Sequence, residues 1–243
     1  MSYTLMILEN HMDAKTEKEL IRYHLKQQNI LDIISDDILN ALQIYSFKPN
    51  EFIVRSNHPA DFLYFYINGR SKVTYTLENG KSLLLRFYNS FEVIGDVELF
   101  EYDRYISDML AITHVTCIGV KTDFLLKRIH HHPELLMYFC RTLAHKLASF
   151  NKASAINLLY PLENRLAGYL IAVSDQNTES ANIIEEIQTG NLTELADLLG
   201  SSYRQLTRVI KKLKTDHIIR KDEHRIEIID RERLVILAKE LYA

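Results

Sequence analysis

The sequence is poor in cysteine, glycine and proline, and it has no tryptophan. Its 243 residues include two cysteines, seven glycines and four prolines. Two thiols are too few for a disulfide scaffold and suit a reducing compartment. The sequence contains no run of about 18 apolar residues, so it predicts no membrane-spanning helix. Because residues 1–10 also lack the basic start and apolar core of a signal peptide, we expect a cytoplasmic protein without a membrane partner.

The sequence also lacks an excess of charge of either sign. Its 29 Lys and Arg and 32 Asp and Glu residues leave a formal net charge of -3. No global field therefore indicates a nucleic-acid partner, and a local basic patch is needed to indicate one. The apolar content of 47% is ordinary for a globular protein, and the length fits one or two domains with their own cores.

Sequence motifs of common catalytic sites are missing as well. There is no G-x-S-x-G, no phosphate-binding loop, no H-E-x-x-H and no paired Cys/His nucleophile. His130, His131 and His132 invite a metal interpretation, but adjacent side chains do not face one another, and no Cys or acid stands at ligand spacing. We interpret the three histidines as a polar turn before Pro133, and we expect neither a metal site nor an enzyme.

Short β-branched and aromatic segments between residues 44 and 122 predict a small antiparallel β-roll or barrel. The clearest predicted strands are residues 62–67, 72–77, 83–88 and 115–120. Asn68-Gly69 and Asn79-Gly80 each separate two such segments. Asn-Gly is a strong hairpin signal because type I′ turns need positive φ. Before this region, residues 15–34 have helix-like spacing of apolar residues and predict a helical segment that packs on the β-domain.

A long helix is predicted after Pro133, which suits a first helical turn. Leu136, Cys140, Leu143, Leu147 and Phe150 form one apolar stripe at steps of four and three. Two interpretations are open: the stripe pairs with its twin in a dimer, which we prefer, or it lies on the β-domain of its own chain. Tyr160-Pro161 ends the pattern because the residue before proline avoids the helical region.

Residues 191–213 have the pattern of two short helices joined by a glycine turn. Asn191 and Glu194 are a plausible capping pair for the first helix. Gly200 stands where a left-handed residue turns the chain, and Ser202 with Gln205 predicts a capping box for the second helix. Two such helices constitute a helix-turn-helix.

The second of these helices carries a concentration of positive charge. Between residues 200 and 221 there are seven Lys or Arg and one acid, a local charge of +6. A solvated helix face would normally interleave both signs. Residues 218–229 then predict a short hairpin, the wing, and a last helix follows from about Arg231. We predict DNA contacts by Ser202, Tyr203, Arg204, Gln205, Arg208, Lys211, Lys212 and Arg220.

With these motifs, the sequence resembles the Crp/Fnr family of bacterial transcriptional regulators, named for the cyclic-AMP receptor protein and the fumarate-nitrate regulator. The resemblance covers roughly residues 44–230, and it is carried by residues 65–69 with 78–81, by 91–100 and by 195–219. It implies an α+β fold with an N-terminal antiparallel β-roll of the cyclic-nucleotide-binding type, a long dimerisation helix and a C-terminal winged helix-turn-helix. The segments expected are 1–43 (helical), 44–130 (sensor-type β-roll), 131–160 (long helix) and 161–243 (DNA-binding domain).

The resemblance also implies how such a regulator acts. A homodimer joined through residues 133–155 would insert the helix at 202–213 into the major groove of double-stranded DNA and read a pseudo-palindrome with half-sites ~34 Å apart. RNA polymerase is the further partner implied, as for an activator, although activation or repression stays open. The family pattern Arg-Glu-x-x-x-Arg reads here Tyr203, Arg204 and Arg208. Only the last arginine is retained, so Arg208 to a guanine is the base contact we expect first.

This sequence departs further from the family pattern in the nucleotide-phosphate cassette. Gly95 is kept, but Asp96 replaces a glutamate, Glu98 replaces a small residue, and Ile106-Ser107 replaces an Arg-Ser pair, with Arg104 displaced by two positions. A cyclic phosphate needs a fixed cation and has no use for an added carboxylate. We therefore do not expect cyclic AMP to bind. The candidate effector pocket comprises Gly95, Asp96, Val97 and Ser107, and its effector, if any, is open.

Oxygen-sensing family members hold an iron-sulfur cluster with four cysteines, which Cys117 and Cys140 cannot supply. No cofactor is therefore expected, and both thiols are interpreted as buried small hydrophobes. A redox switch at Cys140 in a dimer seam is the alternative. A signal in the β-roll would act through the long helix and the Tyr160-Pro161 joint. The competing function is a small-molecule or redox signalling module that acts mainly through protein contacts.

Overall fold

The computed structural model describes residues 14–80, 82–174, 183–185, 192–222 and 225–239. The chain divides into two compact units, Met1–Val73 with Tyr88–Ala148, and Thr74–Phe87 with Ser149–Ala243. The predicted capping pair at Asn191 and the tip of the predicted wing at residues 223–224 lie outside the described residues. The four segment boundaries expected from the sequence stay a prediction. None of the helices in the described ranges has the length and apolar character to cross a bilayer.

The N-terminal segment is helical, as predicted. It consists of α1 (Ala14–Gln27), a short 3₁₀ turn (Leu31–Ile33) and α2 (Asp36–Ala41). Ile21 and Leu25 are buried in the core of the first unit, and Glu17 accepts a hydrogen bond from the Ile44 N–H at 2.7 Å. The segment is thereby attached to the β-domain through its apolar face and one backbone contact.

The strands between residues 43 and 121 form two antiparallel layers. They are β1 (Gln43–Phe47), β2 (Phe52–Val54), β3 (Phe62–Asn68), β4 (Ser71–Thr76), β5 (Ser82–Tyr88), β6 (Glu92–Ile94), β7 (Asp108–Ala111) and β8 (Val115–Lys121). One sheet has the order β1-β8-β3-β6 and the other β2-β7-β4-β5. Phe65 faces Ile118 across β3 and β8, and both side chains join the core with Ile21 and Leu25. The predicted β-roll and its four clearest strands are confirmed.

One of the two predicted hairpins forms and the other does not. Gly80 has φ of 81°, and its N–H donates to the Leu77 carbonyl at 2.9 Å, so Asn79-Gly80 joins β4 to β5 as neighbours. Asn68-Gly69 was expected to do the same for β3 and β4, which is wrong because these strands belong to different sheets. Gly69 has φ of 108°, and a Cβ there would lie 2.3 Å from the His114 carbonyl oxygen. The glycine is needed for a close crossing between sheets.

Helix α3 (Asp96–Glu101) lies within the roll between β6 and β7, and α4 (Thr122–Ile129) and α5 (Pro133–Leu159) follow β8. The histidine triplet at 130–132 lies in the turn between α4 and α5. Along α5, Leu135 and Phe139 are buried in the core of the first unit. Cys140 is exposed on the helix, so its assignment as a buried hydrophobe is wrong, whereas Cys117 in β8 is buried as predicted. The stripe periodicity placed Cys140 with the buried side chains, but Leu135 and Phe139 define the face that packs inward.

The second unit contains α6 (Leu162–Val173), β9 (Ile183–Glu185), α7 (Leu192–Leu198), α8 (Tyr203–Thr215), β10 (Ile219–Lys221), β11 (Arg225–Ile228) and α9 (Arg231–Ala238). The helix boundaries around Pro161 agree with the prediction. The wing pair β10 and β11 is also confirmed, and β9 adds a third antiparallel strand beside β11. Helix α6 packs on α9, where the Asn164 side chain donates to the Leu237 carbonyl at 2.8 Å. Helix α6 also contacts α8, so it joins α9 to the helix-turn-helix.

Candidate nucleic-acid interface

The turn between α7 and α8 is defined by backbone geometry. Gly200 has the predicted left-handed conformation, with φ of 58°. The Gly200 N–H donates to the Asp197 carbonyl at 3.0 Å, and the Ser201 N–H donates to the Ala196 carbonyl at 2.8 Å. The guanidinium of Arg165 in α6 donates to the carbonyl of Leu199. These bonds satisfy the last carbonyls of α7 and set the direction in which α8 leaves the turn.

A complete capping box starts α8. The Ser202 hydroxyl accepts a hydrogen bond from the Gln205 N–H at 3.3 Å, and the Ser202 N–H donates to Gln205 Oε1 at 3.2 Å. The capping prediction is therefore confirmed. Both side chains had also been assigned to DNA contact. In the free chain they are engaged with the helix terminus, so their first role is to position α8.

The remainder of α8 has two distinct faces. Leu206, Ile210 and Leu213 are buried. The opposite side exposes Arg204, Arg208 and Lys211, and Tyr203 is exposed in the first turn of the helix, 54% accessible. Arg204, Arg208 and Lys211 follow at steps of four and three, so they stand on one side of the helix. The structure thus places the predicted base-reading side chains together on the outer side of one anchored helix.

Lys212 lies on α8 but is engaged in an ion pair. Its Nζ is 2.6 Å from Oε2 of Glu163 in α6, and the Glu163 side chain is only 20% accessible. The hydrogen bond and the charge of Glu163 raise the pKa of Lys212. Of the cations predicted to contact DNA, Lys212 therefore has an intramolecular carboxylate as a competing partner. The sequence had no local signal for this pair because 49 residues separate its members.

Two arginines of the wing, Arg220 and Arg225, also form ion pairs. Arg220 Nη1 lies 2.9 Å from Glu227 Oε2 across the β10–β11 pair, and Arg225 Nε lies 3.1 Å from Asp222 Oδ2. Lys214, absent from the predicted contacts, donates from the end of α8 to the Lys221 carbonyl at 3.4 Å. The Arg220 side chain is still 64% accessible, so it remains available to a phosphate.

The predicted effector pocket is lined by acids that already have partners. Gly95 has φ of 87°, and a Cβ there would lie 2.9 Å from the Phe62 carbonyl oxygen. Asp96 is 1% accessible, and its Oδ1 is 2.6 Å from Nζ of Lys146 in α5 and 3.2 Å from the Val97 N–H. No local sequence pattern indicates Lys146, because it lies 50 positions from Asp96 on another element.

A second carboxylate of α3 also has a hydrogen-bond partner. Glu98 is buried, and its Oε1 accepts a hydrogen bond from the Ile106 N–H at 3.1 Å. This bond brings α3 beside the segment that carries the half-buried Ser107. Arg104, the nearest arginine in sequence, donates instead to the Asn57 carbonyl at 2.5 Å. The cation beside Asp96 is therefore a lysine of the long helix and not Arg104.

Comparison with known proteins places both halves of the chain. The sequence model of the cyclic nucleotide-binding domain matches residues 44–132, and that of the Crp-like helix-turn-helix domain matches residues 164–236. Regulatory protein YeiL of Escherichia coli O157:H7 is 25% identical over 210 residues, covering 86% of this chain and 92% of that protein. A CRP-like cAMP-activated global transcriptional regulator of Mycobacterium tuberculosis is 24% identical over 203 residues, covering 83% and 91%.

Solved structures have the same architecture. A transcriptional regulator of the CRP/FNR family from Thermus thermophilus superimposes with a TM-score of 0.62 at 25% identity, covering 81% of this chain and 98% of that chain. The chain thus shares the fold of that regulator over most of both lengths.

Proposed function

Because this chain belongs to the Crp/Fnr family and is a DNA-binding transcriptional regulator, we propose that it binds a pseudo-palindromic operator as a homodimer through the outer side of α8. The observation that carries the proposal is the exposure of Arg204 and Arg208 on the side of α8 opposite its buried face, with the exposed Tyr203 in the first turn. A two-fold dimer presents two such helices, so its half-sites lie about one helical turn, ~34 Å, apart.

Within each half-site, the contacts divide by chemistry. Arg208 has the fork geometry for the O6 and N7 acceptors of guanine, and Arg204 stands one turn earlier on the same side. Lys211, Lys212 and Arg220 are suited to phosphates, which position the protein without reading sequence. The Tyr203 ring offers an apolar edge for a thymine methyl. We propose that Ser202 and Gln205, in addition to their capping role, contact the DNA sugar-phosphate backbone near the start of α8.

The homodimer is supported by an uncovered apolar seam on α5. Met137, Cys140, Ala144, Leu147 and Asn151 are exposed and follow at alternating steps of three and four. That spacing is the a/d pattern of a paired coiled coil, in which small residues permit close approach and an Asn at one a position selects register. Leu147 is 62% accessible, which is typical of a side chain that a second copy covers.

The predicted stripe itself is divided, because Leu136 packs against the core of its own chain whereas Cys140, Leu147 and Phe150 are exposed. Leu135 and Phe139 pack on the β-domain of their own chain, and the seam on the other side is available to a partner. A change in the β-roll would thus move the seam, and the joint at Tyr160-Pro161 would pass the change on to the helix-turn-helix. Contact with RNA polymerase, as an activator, belongs to the same proposal and is supported by the family alone.

The experiment that tests the proposal is selection of bound sequences from random duplex DNA by the full chain. We expect enrichment of an inverted repeat whose half-sites are about one turn apart. Arg208→Ala should relax selection at one symmetric pair of positions and leave the others enriched. Absence of any enriched sequence, at a salt concentration where nonspecific binding is weak, would overturn the operator proposal.

A further inference from the structure

We propose that the cassette around Asp96 is an internal ammonium site whose ligand is Lys146 of the same chain, and that this contact positions α5 in place of a small-molecule effector. The inference rests on the proposed function, because the consequence of positioning α5 is a defined dimer seam. It assigns to the β-roll a ligand class opposite in charge to a cyclic phosphate.

The geometry around Lys146 is that of an occupied cation site. Its Nζ lies 2.6 Å from Asp96 Oδ1 and 2.5 Å from the Val93 carbonyl oxygen. The Lys146 side chain is 15% accessible and that of Asp96 is 2% accessible, so both charges have left water. An ammonium donates to up to three acceptors and accepts from none, which suits one carboxylate and one carbonyl at the end of β6.

The surroundings are unsuited to an anion in the same place. Glu98 adds a second buried carboxylate to the cassette, held by the Ile106 N–H. Burial raises the pKa of Tyr138 to about 12, and the nearby carboxylates of Glu92 and Asp96 contribute to the shift. A phosphate entering here would face the carboxylate of Asp96 and would have to separate it from Lys146.

The contact has a mechanical consequence because Lys146 precedes Leu147 of the seam. Lys146 and Phe139 lie two turns apart, at a step of seven, on the face of α5 that packs inward. Anchoring Lys146 therefore sets the rotation and the height of α5 on its own β-roll. Leu147 is presented outward by the same rotation. In an effector-dependent regulator a bound ligand would have to select this arrangement, whereas here the chain supplies the ligand itself.

The first experiment measures operator affinity by fluorescence anisotropy with a duplex obtained from the selection. Lys146→Met and the near-isosteric Asp96→Asn should each weaken binding at least tenfold, and the double variant should lose no more than the worse single variant. Lys127→Met, on the exposed side of α4, is the matched control and should bind like the unsubstituted chain. Cyclic AMP, added as the probe anion, should leave the affinity of the unsubstituted chain unchanged.

The second experiment reads the same contact without DNA. Hydrogen exchange of the backbone amides at residues 139–148 should be at least tenfold faster in Asp96→Asn than in the unsubstituted chain, with little change in Lys127→Met. Unchanged exchange and unchanged affinity in both cassette variants would overturn the inference, as would an increase of operator affinity with cyclic AMP. A chain that binds no DNA but shows the exchange effect would overturn the proposed function and leave the ammonium site supported.

Discussion

Lys212 of α8 and Glu163 of α6 form a salt bridge with Nζ 2.6 Å from Oε2. A cation predicted to contact DNA therefore also links α8 to α6. The lysine is 58% accessible while the glutamate is 20% accessible. A DNA phosphate near Lys212 therefore competes with an existing carboxylate partner. Exposed ion pairs of this kind contribute little to stability, and their effect on binding is the more informative quantity.

The first prediction concerns the salt dependence of DNA binding. Glu163→Gln should release Lys212 to the phosphates and steepen the dependence of log K on log salt by about one unit, because each neutralised phosphate releases one counterion. The measurement is anisotropy titration at several salt concentrations. Lys211→Ala should reduce the slope by about one unit, whereas Lys212→Ala should reduce it by less. If all three variants had the same salt slope as the unsubstituted chain, neither lysine would contact a phosphate.

The second prediction concerns sequence selectivity. Arg208→Ala should cost about 1–3 kcal/mol of operator binding, through loss of a bidentate contact to one base pair per half-site. Arg208→Lys is the matched variant, since it keeps the charge and the salt slope but lacks the planar fork. Competition with operators substituted one base pair at a time checks both variants. If Arg208→Ala weakened binding to all sequences equally, the residue would be a phosphate contact.

The third prediction concerns the capping role of Ser202. Ser202→Ala removes the acceptor for the Gln205 N–H and should destabilise the DNA-binding unit by about 1 kcal/mol. Ser202→Asn retains a good cap and should unfold at nearly the temperature of the unsubstituted chain. Thermal unfolding followed by circular dichroism makes the comparison. Equal stability of the Ala and Asn variants would mean that the capping box contributes nothing measurable.

The fourth prediction concerns the dimer seam. Leu147→Glu places a charge on the exposed stripe and should shift the chain from dimer to monomer, without loss of helicity because Leu147 is 62% accessible within the chain. His145→Glu changes an exposed residue on another side of α5 and should leave the dimer intact. Sedimentation equilibrium distinguishes the two outcomes. A stable dimer of Leu147→Glu would exclude this seam as the interface.

The fifth prediction uses the two cysteines as probes. Burial raises the pKa of the Cys117 thiol, so near pH 8 that group stays protonated and unreactive. The exposed Cys140 should react with iodoacetamide in the native chain, and Cys117 should react only after denaturation. Mass spectrometry after partial labelling gives the sites. Because the seam would cover Cys140, its labelling rate should fall as protein concentration rises through the dimerisation range, and a constant rate would argue against that seam.

Much of the architecture was predictable because the signals are local. The hydrophobic spacing of α8, the Ser202–Gln205 capping box and the left-handed Gly200 depend on residues within a few positions of one another. The β4–β5 hairpin at Asn79-Gly80 has the same local character. At Asn68-Gly69 an identical dipeptide did not produce a hairpin, since the next strand belongs to the other sheet. A turn signal specifies where the chain bends, and the sheet that receives the next strand depends on distant partners such as His114.

The order of β-roll, long helix and winged helix-turn-helix, the basic helix and its caps were determined by the sequence alone, because periodicity, capping and charge are properties of neighbouring residues. Only the tertiary structure decided which acids hold Lys146 and Lys212, and that Cys140 faces outward while Phe139 faces inward. Those outcomes depend on elements about 50 residues apart, and a hydrogen bond or a buried face across that separation leaves no pattern along the chain.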